Sequence, residues 1–401
     1  MRVNMANDNK KDEYSNYSRK DFLKHISLGM GAAMAFPNLS YAYAGKFSQA
    51  DLYYYQKWEN MKELPEEKKL GIALVGLGNY AMGQLAPALQ HTKLCRLSGL
   101  VTGTPSKEVK YGKEYNIPDS HIYNYETYDQ IADNENIDII YVVLPNSMHA
   151  EYTIRAAEAG KHVISEKPMT TSVKDAQAMV AACSKAGVKL SVGYRLHFEP
   201  HHQQVMRLGQ HELLGSVDRI DGGFGFTIGD DTDPDRWRLN KELAGGGPLM
   251  DVGIYAIQAS LYTLGEKPAS VVAETMKITR PEFFDEVEET IHWTLEFPSG
   301  IKATGKSSYN QSYNYHHTET ENGFFHVEPS YGYGGVKGKT HKGSMGLPNV
   351  GQQKLQMDAF ADCILNDRES RVPGEMGLRD VKILMAIYES AETGRKVTFD
   401  W

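Results

Sequence analysis

Asp251 and Tyr255 are a carboxylic acid and a phenol four residues apart, a spacing that places both side chains on one face of a helix. They follow three consecutive glycines at 245–247 and then Pro248. Glycine reaches backbone conformations that let a ligand come close, and proline favours a first helical turn. The segment therefore predicts acid–base chemistry on an alcohol or a carbonyl beside a glycine-lined cleft. The alternative is a partly buried helix whose tyrosine and aspartate only satisfy each other.

Lys167 is the third residue that could take part in this chemistry. It stands in the sequence Ser-Glu-Lys-Pro at 165–168, directly after a strand-like segment at 161–164. Ligands of open α/β sheets bind at the carboxyl ends of such strands. A lysine there could donate a hydrogen bond to a substrate oxygen and stabilise an ionised phenol beside it. A solvated loop lysine is the alternative.

The residues around Gly76 predict the element that would hold a nucleotide. Residues 70–75 form a continuous apolar run, as in a parallel strand buried on both faces. They lead into Gly-x-Gly-x-x-Ala at 76–81, and a helical pattern continues to Leu89. Glycines between a strand and a helix allow a tight turn and the close approach of a pyrophosphate to the helix N-terminus. This context indicates a dinucleotide site more strongly than the glycines alone.

The end of the second predicted strand, 96–101, bears on the choice of cofactor. An NAD site usually places a carboxylate here for the ribose 2′-hydroxyl. This chain has the sequence Thr-Gly-Thr-Pro-Ser-Lys at 102–107, whose hydroxyls and lysine suit a 2′-phosphate. We therefore expect NADP rather than NAD. The alternative is an ordinary polar turn.

The remaining patterns predict an α/β domain followed by an α+β domain. In the first half, strands are expected at 137–144, 161–164 and 189–193, and helices at about 150–159 and 173–186. In the second half, strands are expected at 217–226, 269–279, 290–297 and 301–309, and helices at 251–264, 353–366 and 377–393. We therefore predict a Rossmann domain over 70–192. A substrate-binding and oligomerisation domain over 193–401 would be built on a mostly antiparallel open sheet.

Several motifs occur along the chain in an order that resembles one known family. They are Gly76-x-Gly78, Pro-Asn-x-x-His at 145–149, Glu-Lys-Pro at 166–168 and the glycine-rich segment that ends at Tyr255. Together they resemble the glucose–fructose oxidoreductase / inositol dehydrogenase family, and most closely its glucose–fructose oxidoreductase subgroup. The resemblance covers about residues 70 to 401, including Gly-Tyr-Arg at 193–195, Trp-Arg-Leu at 237–239 and the C-terminal ending.

The resemblance implies an NADP-dependent sugar oxidoreductase that moves a hydride between a sugar carbon and a tightly bound nicotinamide. Lys167 is the implied contact of the nicotinamide and the reacting hydroxyl. Tyr255 stands where many members have histidine and is the implied general acid and base, while Asp251 would orient Tyr255 and the substrate. The implied cofactor-binding residues are Gly76, Leu77, Gly78, Asn79, Tyr80, Thr102, Lys107, Tyr125, Asn146, His149, Glu166, Lys167, Arg195, Trp237 and Arg238.

Some interpretations stay open within this resemblance. Arg195 and Arg238 could instead form ion pairs between the domains. Family members use the open face of the second sheet for subunit contact, which implies a homo-oligomer, a dimer or a tetramer. The tyrosine-rich stretch 313–333 could line the substrate cleft or belong to that interface.

Two other functions are compatible with the same motifs. Some relatives hold NAD tightly and oxidise their substrate only transiently, as glycoside hydrolases or epimerases. A non-catalytic sugar-binding protein on a dehydrogenase fold is the third possibility, although Lys167, Asp251 and Tyr255 are all present.

The composition limits the partners. The 401 residues carry 43 basic and 51 acidic side chains, a net charge of −8, which argues against nucleic acid. The three cysteines show neither disulfide nor metal-ligand spacing. His197, His201 and His202 include a spacing of four residues that could bind zinc, but no further ligand pattern surrounds them, and we predict no metal. No apolar stretch is long enough to span a membrane.

The N-terminus predicts an export signal over residues 1–44. The sequence Ser-Arg-Lys-Asp-Phe-Leu-Lys at 18–24 is similar to a twin-arginine signal, with Lys20 in place of the second arginine. A short apolar run at 26–36 and Ala-Tyr-Ala at 42–44 then resemble a signal and its cleavage site. We therefore expect a periplasmic location. The alternative to an export signal is an amphipathic N-terminal helix. Residues 45–69 would form an arm that packs on a neighbouring subunit or serves as a tether.

Overall fold

The structure is a computed structural model that describes residues 53–233 and 236–401. The predicted export signal, 1–44, and the first part of the arm, 45–52, lie outside these residues. In the described part of the chain, no helix has both the length and the apolar character needed to cross a membrane.

Six parallel strands build the first sheet. They are β1 (Leu70–Val75), β2 (Cys95–Val101), β3 (Ile122–Tyr123), β4 (Ile139–Val142), β5 (His162–Ser165) and β6 (Leu190–Val192). Their order is β3-β2-β1-β4-β5-β6, so the sheet grows in opposite directions from β1 and β4. Such a reversal opens a crevice at the carboxyl ends of the two strands, where α/β proteins bind ligands. The predicted Rossmann fold is confirmed; only the two-residue β3 was missed, because it is too short to show a pattern.

Nine strands build the second sheet. They are β7 (Val217–Gly225), β8 (Ser270–Thr275), β9 (Thr290–Glu296), β10 (Lys302–Ser308), β11 (Tyr313–Thr320), β12 (Gly323–Val327), β13 (Gly338–Thr340), β14 (Gly343–Ser344) and β15 (Val397–Thr398). Their order is β14-β13-β12-β11-β7-β10-β9-β8-β15. The pair β7–β10 is parallel and every other pair is antiparallel. The expectation of a mostly antiparallel sheet is therefore confirmed.

Ten α-helices accompany the sheets in the described residues. They are α1 (Tyr54–Glu59), α2 (Ala86–Leu89), α3 (Pro105–Tyr115), α4 (His149–Glu158), α5 (Val173–Ala186), α6 (Pro200–Gln210), α7 (Lys241–Ala244), α8 (Ile254–Leu264), α9 (Gln352–Leu365) and α10 (Gly374–Thr393). The helical pattern predicted after the glycine loop begins as a π-helix at Ala81–Leu85 and continues as α2. Helix α8 packs on β7, and α10 packs on β8, which covers one face of the second sheet.

Two helices differ from the sequence expectation. The segment 251–264 was predicted as one helix, but a π-helix at Leu249–Gly253 precedes α8. Asp251 therefore belongs to the π-helical turn and Tyr255 to the first turn of α8. No helix was predicted after the segment 102–107, yet Pro105 begins α3, whose C-cap residue Asn116 has the left-handed conformation. Proline at a first helical position is the local signal that the prediction passed over.

The described part of the arm packs on its own chain. The indole of Trp58 in α1 donates to the Asp358 carboxylate at 2.6 Å, and that carboxylate also accepts from the backbone N–H groups of Lys93 and Leu94. Tyr54 packs edge-on against Phe198. Asp358 lies in α9, so one buried carboxylate joins the arm, the start of β2 and a C-terminal helix. Residues 53–59 are therefore packed on the fold and do not form a free tether, while packing of the arm on a neighbouring subunit stays a prediction.

Candidate active site

The glycine loop after β1 has the shape that a dinucleotide phosphate requires. Gly76 has φ +91°, and a Cβ there would lie 2.5 Å from the carbonyl oxygen of Val143, so only glycine fits. Gly78 is exposed, and a Cβ there would meet no atom within 4 Å. Leu77 points into the core, while Asn79 is exposed at the start of the following helix. The loop is thus fixed on its protein side and open on the side where a pyrophosphate would bind.

A second group of predicted residues gathers at the end of β2. The ammonium of Lys107, in α3, donates to the carbonyl of Leu77 at 3.0 Å, which brings it back to the glycine loop. The buried hydroxyl of Thr102 accepts from the backbone N–H of Thr104. The ring of Tyr125 lies against Gly103, 3.0 Å from the position of a Cβ there. The structure therefore brings Thr102, Lys107 and Tyr125 together beside the glycine loop.

Asn146 and His149 follow β4, but their polar atoms have protein partners. The side-chain amide of Asn146 donates to the carbonyl of Ala244, directly before the glycine-rich segment. Both ring nitrogens of His149 face backbone carbonyls, those of Leu144 and Pro168, and the side chain is buried. His149 therefore joins the chain after β4 to the chain after β5. The cofactor contact of His149 that the resemblance implies stays a prediction.

Glu166 is a buried carboxylate beneath Lys167. It accepts from the hydroxyl of Tyr141 at 2.7 Å and from the backbone N–H of Lys167 at 3.2 Å. A Cβ at Gly193 would lie 2.5 Å from this carboxylate, so glycine is needed for the close approach. Burial raises the pKa of Glu166, while Tyr141 and Lys167 act to lower it. The geometry gives Glu166 a clear role in holding the backbone of Lys167.

Lys167 lies between the two other predicted catalytic residues. Its ammonium donates to the backbone carbonyl of Asp251 at 2.6 Å and lies 3.5 Å from the carboxylate of the same residue. It also lies 4.8 Å from the centre of the Tyr255 ring. Because Lys167 follows β5 and the other two belong to the π-helix and α8, both domains contribute to this cluster.

Asp251 is held in place by a guanidinium and a phenol as well as by Lys167. Arg238 lies 3.2 Å from its carboxylate, and the hydroxyl of Tyr309 donates to it at 3.0 Å. Burial alone would raise the pKa of Asp251, but Arg238 and Lys167 outweigh it and hold this pKa at about 2. Arg238 thus forms an ion pair within the second domain, and not one between the domains, and its guanidinium also lies 4.4 Å from the ring centre of Trp237. The carboxylate of Asp251 is thus held by Lys167, Arg238 and Tyr309 rather than by Tyr255.

This arrangement predicts a pH-dependent effect of replacing Asp251. At pH 7 we expect the free energy of unfolding of Asp251→Asn to be about 2 kcal/mol lower than that of the unaltered protein. A carboxyl whose folded pKa is depressed from 3.8 to about 2 stabilises the fold above pH 4, and this contribution disappears as the pH falls through 2. Urea titrations at pH 7 and pH 2.5 would measure the difference. Asp218→Asn, an exposed change in β7, is the control, and a difference independent of pH would contradict the prediction.

Arg195 is buried among backbone carbonyls. Its guanidinium donates to the carbonyls of Tyr331 at 2.6 Å and Gly332 at 3.0 Å, and to the side chain of Gln352. The same guanidinium lies 4.9 Å from the ring centre of Tyr255. Two cations, Arg195 and Lys167, therefore lie beside the phenol. The interdomain ion pair considered for Arg195 is replaced by hydrogen bonds to carbonyls and by this ring contact.

Several residues of the site were not found from the sequence. Tyr309 binds Asp251 from the end of β10. Glu288 accepts from the backbone N–H groups of Gly247 and Leu249, so a half-buried carboxylate fixes the glycine-rich segment. The two ends of the tyrosine-rich stretch 313–333 lie in different places. Tyr331 packs on Tyr255 with ring centres 6.0 Å apart, whereas Tyr313 and Tyr315 lie on β11 beside Lys306. No local pattern marks these partners, because each lies far along the chain from the group it contacts.

The three histidines considered as zinc ligands are engaged in separate hydrogen bonds. His197 bonds to Gln258, His201 to Glu199, and His202 to the carbonyl of Ser330. Across residues 53–233 and 236–401, no three His, Cys, Asp or Glu side chains are grouped as metal ligands.

Comparison with known proteins places this geometry in a family. Residues 70–194 match the GFO/IDH/MocA sequence model described as an oxidoreductase family with an NAD-binding Rossmann fold. Residues 202–325 match the model of a GFO/IDH/MocA C-terminal domain. The two matches cover the two sheets in turn.

Two proteins with assigned activities are similar over most of the chain. The crystal structure of an aldose–aldose oxidoreductase from Caulobacter crescentus, complexed with glycerol, has 42% sequence identity and a TM-score of 0.78, and the match covers 82% of this chain and all of the other. A D-xylose 1-dehydrogenase [NADP(+)] from Haloarcula marismortui is 29% identical over 367 residues, 90% of this chain and 99% of that protein. The family resemblance inferred from the motifs is thereby confirmed. This chain belongs to the GFO/IDH/MocA family of oxidoreductases.

Proposed function

We propose that this protein is an NADP-dependent sugar oxidoreductase that oxidises an aldose and returns the hydride to a second sugar. The observation that carries the proposal is the position of the Lys167 ammonium, between Asp251 and the Tyr255 ring at the carboxyl end of β5. The aldose–aldose oxidoreductase and D-xylose dehydrogenase activities of similar proteins support a sugar as substrate.

In this proposal the side chains handle the proton. When bound, NADP⁺ accepts a hydride from the substrate carbon. Tyr255 takes the proton of the sugar hydroxyl as general base, and Lys167 and Arg195 stabilise the negative charge that develops on the oxygens. A cyclic aldose loses its C1 hydrogen as hydride and its hydroxyl hydrogen as a proton, which yields a lactone. Returning both to a second sugar carbonyl regenerates the starting state.

Asp251 supplies a fixed anion beside this chemistry. Its carboxylate stays ionised at neutral pH because Arg238 and Lys167 hold its pKa at about 2 against the effect of burial. It therefore accepts hydrogen bonds and does not donate a proton. We assign it the orientation of Lys167 and of a sugar hydroxyl, with Arg238 and Tyr309 fixing the carboxylate.

The direct test is to release the nucleotide from the purified protein by denaturation, identify it, and add aldoses to the native protein. The proposal expects NADP(H), and a rise in absorbance at the reduced-nicotinamide band on addition of an aldose. The proposal would be refuted if no nucleotide were released and no aldose changed the absorbance. Cleavage of a nitrophenyl glycoside without net reduction would point to a hydrolase on the same fold.

The NADP preference rests on Lys107. If its ammonium contacts the 2′-phosphate, Lys107→Ala is expected to raise the dissociation constant of NADP⁺ about tenfold, the value of one charge-assisted hydrogen bond. The dissociation constant of NAD⁺, which lacks that phosphate, should change by less than about twofold. Equilibrium titrations of both nucleotides would measure this, with Lys110→Ala in the same helix as the control. Equal weakening of both nucleotides would contradict the assignment.

We also propose export to the periplasm and assembly into a homo-oligomer. The Ser-Arg-Lys-Asp-Phe-Leu-Lys sequence at 18–24 supports export of a folded protein with its cofactor already bound. Cell fractionation of the full chain and light scattering of the purified protein would test the two proposals separately. Recovery in the cytosol alone would refute the first, and a monomeric mass would refute the second.

A further inference from the structure

Four side chains from separate parts of the chain form a continuous stack across the cleft. The rings of Tyr80 and Tyr333 lie 5.6 Å apart with an interplanar angle of 29°. The Arg195 guanidinium lies 4.5 Å from the centre of the Tyr333 ring and 4.9 Å from that of Tyr255. The order Tyr80, Tyr333, Arg195, Tyr255 therefore connects the glycine loop of the first domain to the proposed general base of the second.

The segment that carries Tyr333 is anchored on its inner side. Arg195 binds the carbonyls of Tyr331 and Gly332, and the side-chain amide of Gln352 also donates to Gly332. The side-chain oxygen of Asn314 accepts from the backbone N–H of Tyr331 at 2.7 Å. Tyr333 itself is 49% exposed, whereas Tyr80 is partly buried and Arg195 and Tyr255 are buried. The anchored segment thus presents the ring of Tyr333 at the surface of the cleft.

Tyr80, the partner of the Tyr333 ring, lies beside the glycine loop that is expected to bind the cofactor. Tyr80 stands two residues after Gly78, at the start of the helix whose N-terminus is the expected pyrophosphate site. A ring that packs on Tyr80 from the opposite domain closes the cleft at that point. The protein core does not require this contact, since Tyr333 is half exposed.

We propose that Tyr333 is a clasp that slows the release of a bound nicotinamide cofactor. The inference rests on the proposed function, because it assumes that NADP(H) binds along the glycine loop. An aromatic stack and a cation–π contact must both break when the clasp opens. Their combined strength corresponds to a roughly 10- to 50-fold slower dissociation.

The test compares the dissociation rate of NADPH from the full-length protein and from Tyr333→Ala. NADPH is loaded, an excess of NADP⁺ is added, and the loss of bound-state fluorescence is followed. The expected result is a 10- to 50-fold faster loss for Tyr333→Ala and a rate within about threefold of the original for Tyr333→Phe, which keeps the ring. Trp401→Ala, which removes another partly exposed aromatic ring, should leave the rate unchanged.

The outcomes separate this inference from the function on which it rests. Equal dissociation rates for the original protein and Tyr333→Ala would overturn the clasp while leaving NADP(H) binding intact. A protein that binds neither NADPH nor NADP⁺ would overturn both. A general loss of folding would also accelerate release, so thermal unfolding of each variant is measured beside the rates. Tyr333→Leu keeps an apolar side chain but removes the aromatic stack. It must also release NADPH faster than the original protein.

Discussion

Tyr255→Phe is expected to lower kcat for aldose oxidation by about 10³-fold, within the range attributed to a general acid–base group. The phenylalanine ring keeps the ring contacts with Arg195, Lys167 and Tyr331. The substitution removes only the hydroxyl that exchanges the proton. The loss should therefore appear in kcat and leave the dissociation constant of NADP⁺ within about twofold. Single-turnover reduction of the bound nucleotide, followed by absorbance, measures the chemical step directly.

The control for this change is Tyr111→Phe, which removes a phenol hydroxyl from α3 and is expected to leave kcat unchanged. A Tyr255→Phe variant that retains more than a tenth of the original kcat would rule out Tyr255 as the proton acceptor. A variant that loses NADP⁺ binding to the same extent as kcat would show that the hydroxyl supports the fold of the cleft instead.

The sequence predicted the parts of the site that depend on local structure. The glycine loop could be found because a strand, two glycines and a helix must follow one another within a few residues to hold a pyrophosphate. Lys167 could be found because a charged residue directly after a buried strand has a known position at the sheet edge. Asp251 and Tyr255 could be found from their spacing, although the π-helical turn at Leu249–Gly253 was not expected.

The partners of these residues could not be found in the same way. Tyr309, Glu288 and Tyr333 contact Asp251, Gly247 and Tyr80 respectively, and each pair is separated by 41 or more residues along the chain. Which strand of the second sheet lies beside the π-helix depends on the register of nine strands, and one-residue shifts reverse the faces of each. Hydrophobic periodicity does not determine that register.

The hydrogen bonds of His149 could not be predicted from the sequence for a related reason. The resemblance implied that this residue touches the cofactor, and its type is suitable for that role. In the structure its two nitrogens face the carbonyls of Leu144 and Pro168, which are brought together only when β4 and β5 pair. A polar residue near a ligand site can therefore support the backbone that forms the site without facing the ligand.

Lys167→Met is expected to lower kcat/KM for the aldose by about 10³-fold, because it removes a cation beside the oxygen that becomes negative. Methionine keeps much of the length of the side chain in this largely buried position. It cannot donate to the carbonyl of Asp251, which the ammonium binds at 2.6 Å. The exposed Lys174→Met in α5 is the matched control and should leave kcat/KM unchanged.

A double variant decides whether Lys167 acts with Tyr255 or only holds Asp251. If the ammonium stabilises the negative charge that proton transfer to Tyr255 creates, its effect depends on that transfer. The loss in Lys167→Met/Tyr255→Phe should then be far smaller than the product of the two single losses, as in catalytic groups that work as one unit. If Lys167 only positions the π-helical turn through the Asp251 carbonyl, the two losses should multiply to about 10⁶-fold.

Methylamine added to Lys167→Ala gives an independent readout. A restored ammonium recovers kcat only where charge, and not a fixed backbone contact, was lost. Multiplicative losses without rescue would reduce Lys167 to a positioning residue and leave Tyr255 and Arg195 as the catalytic pair.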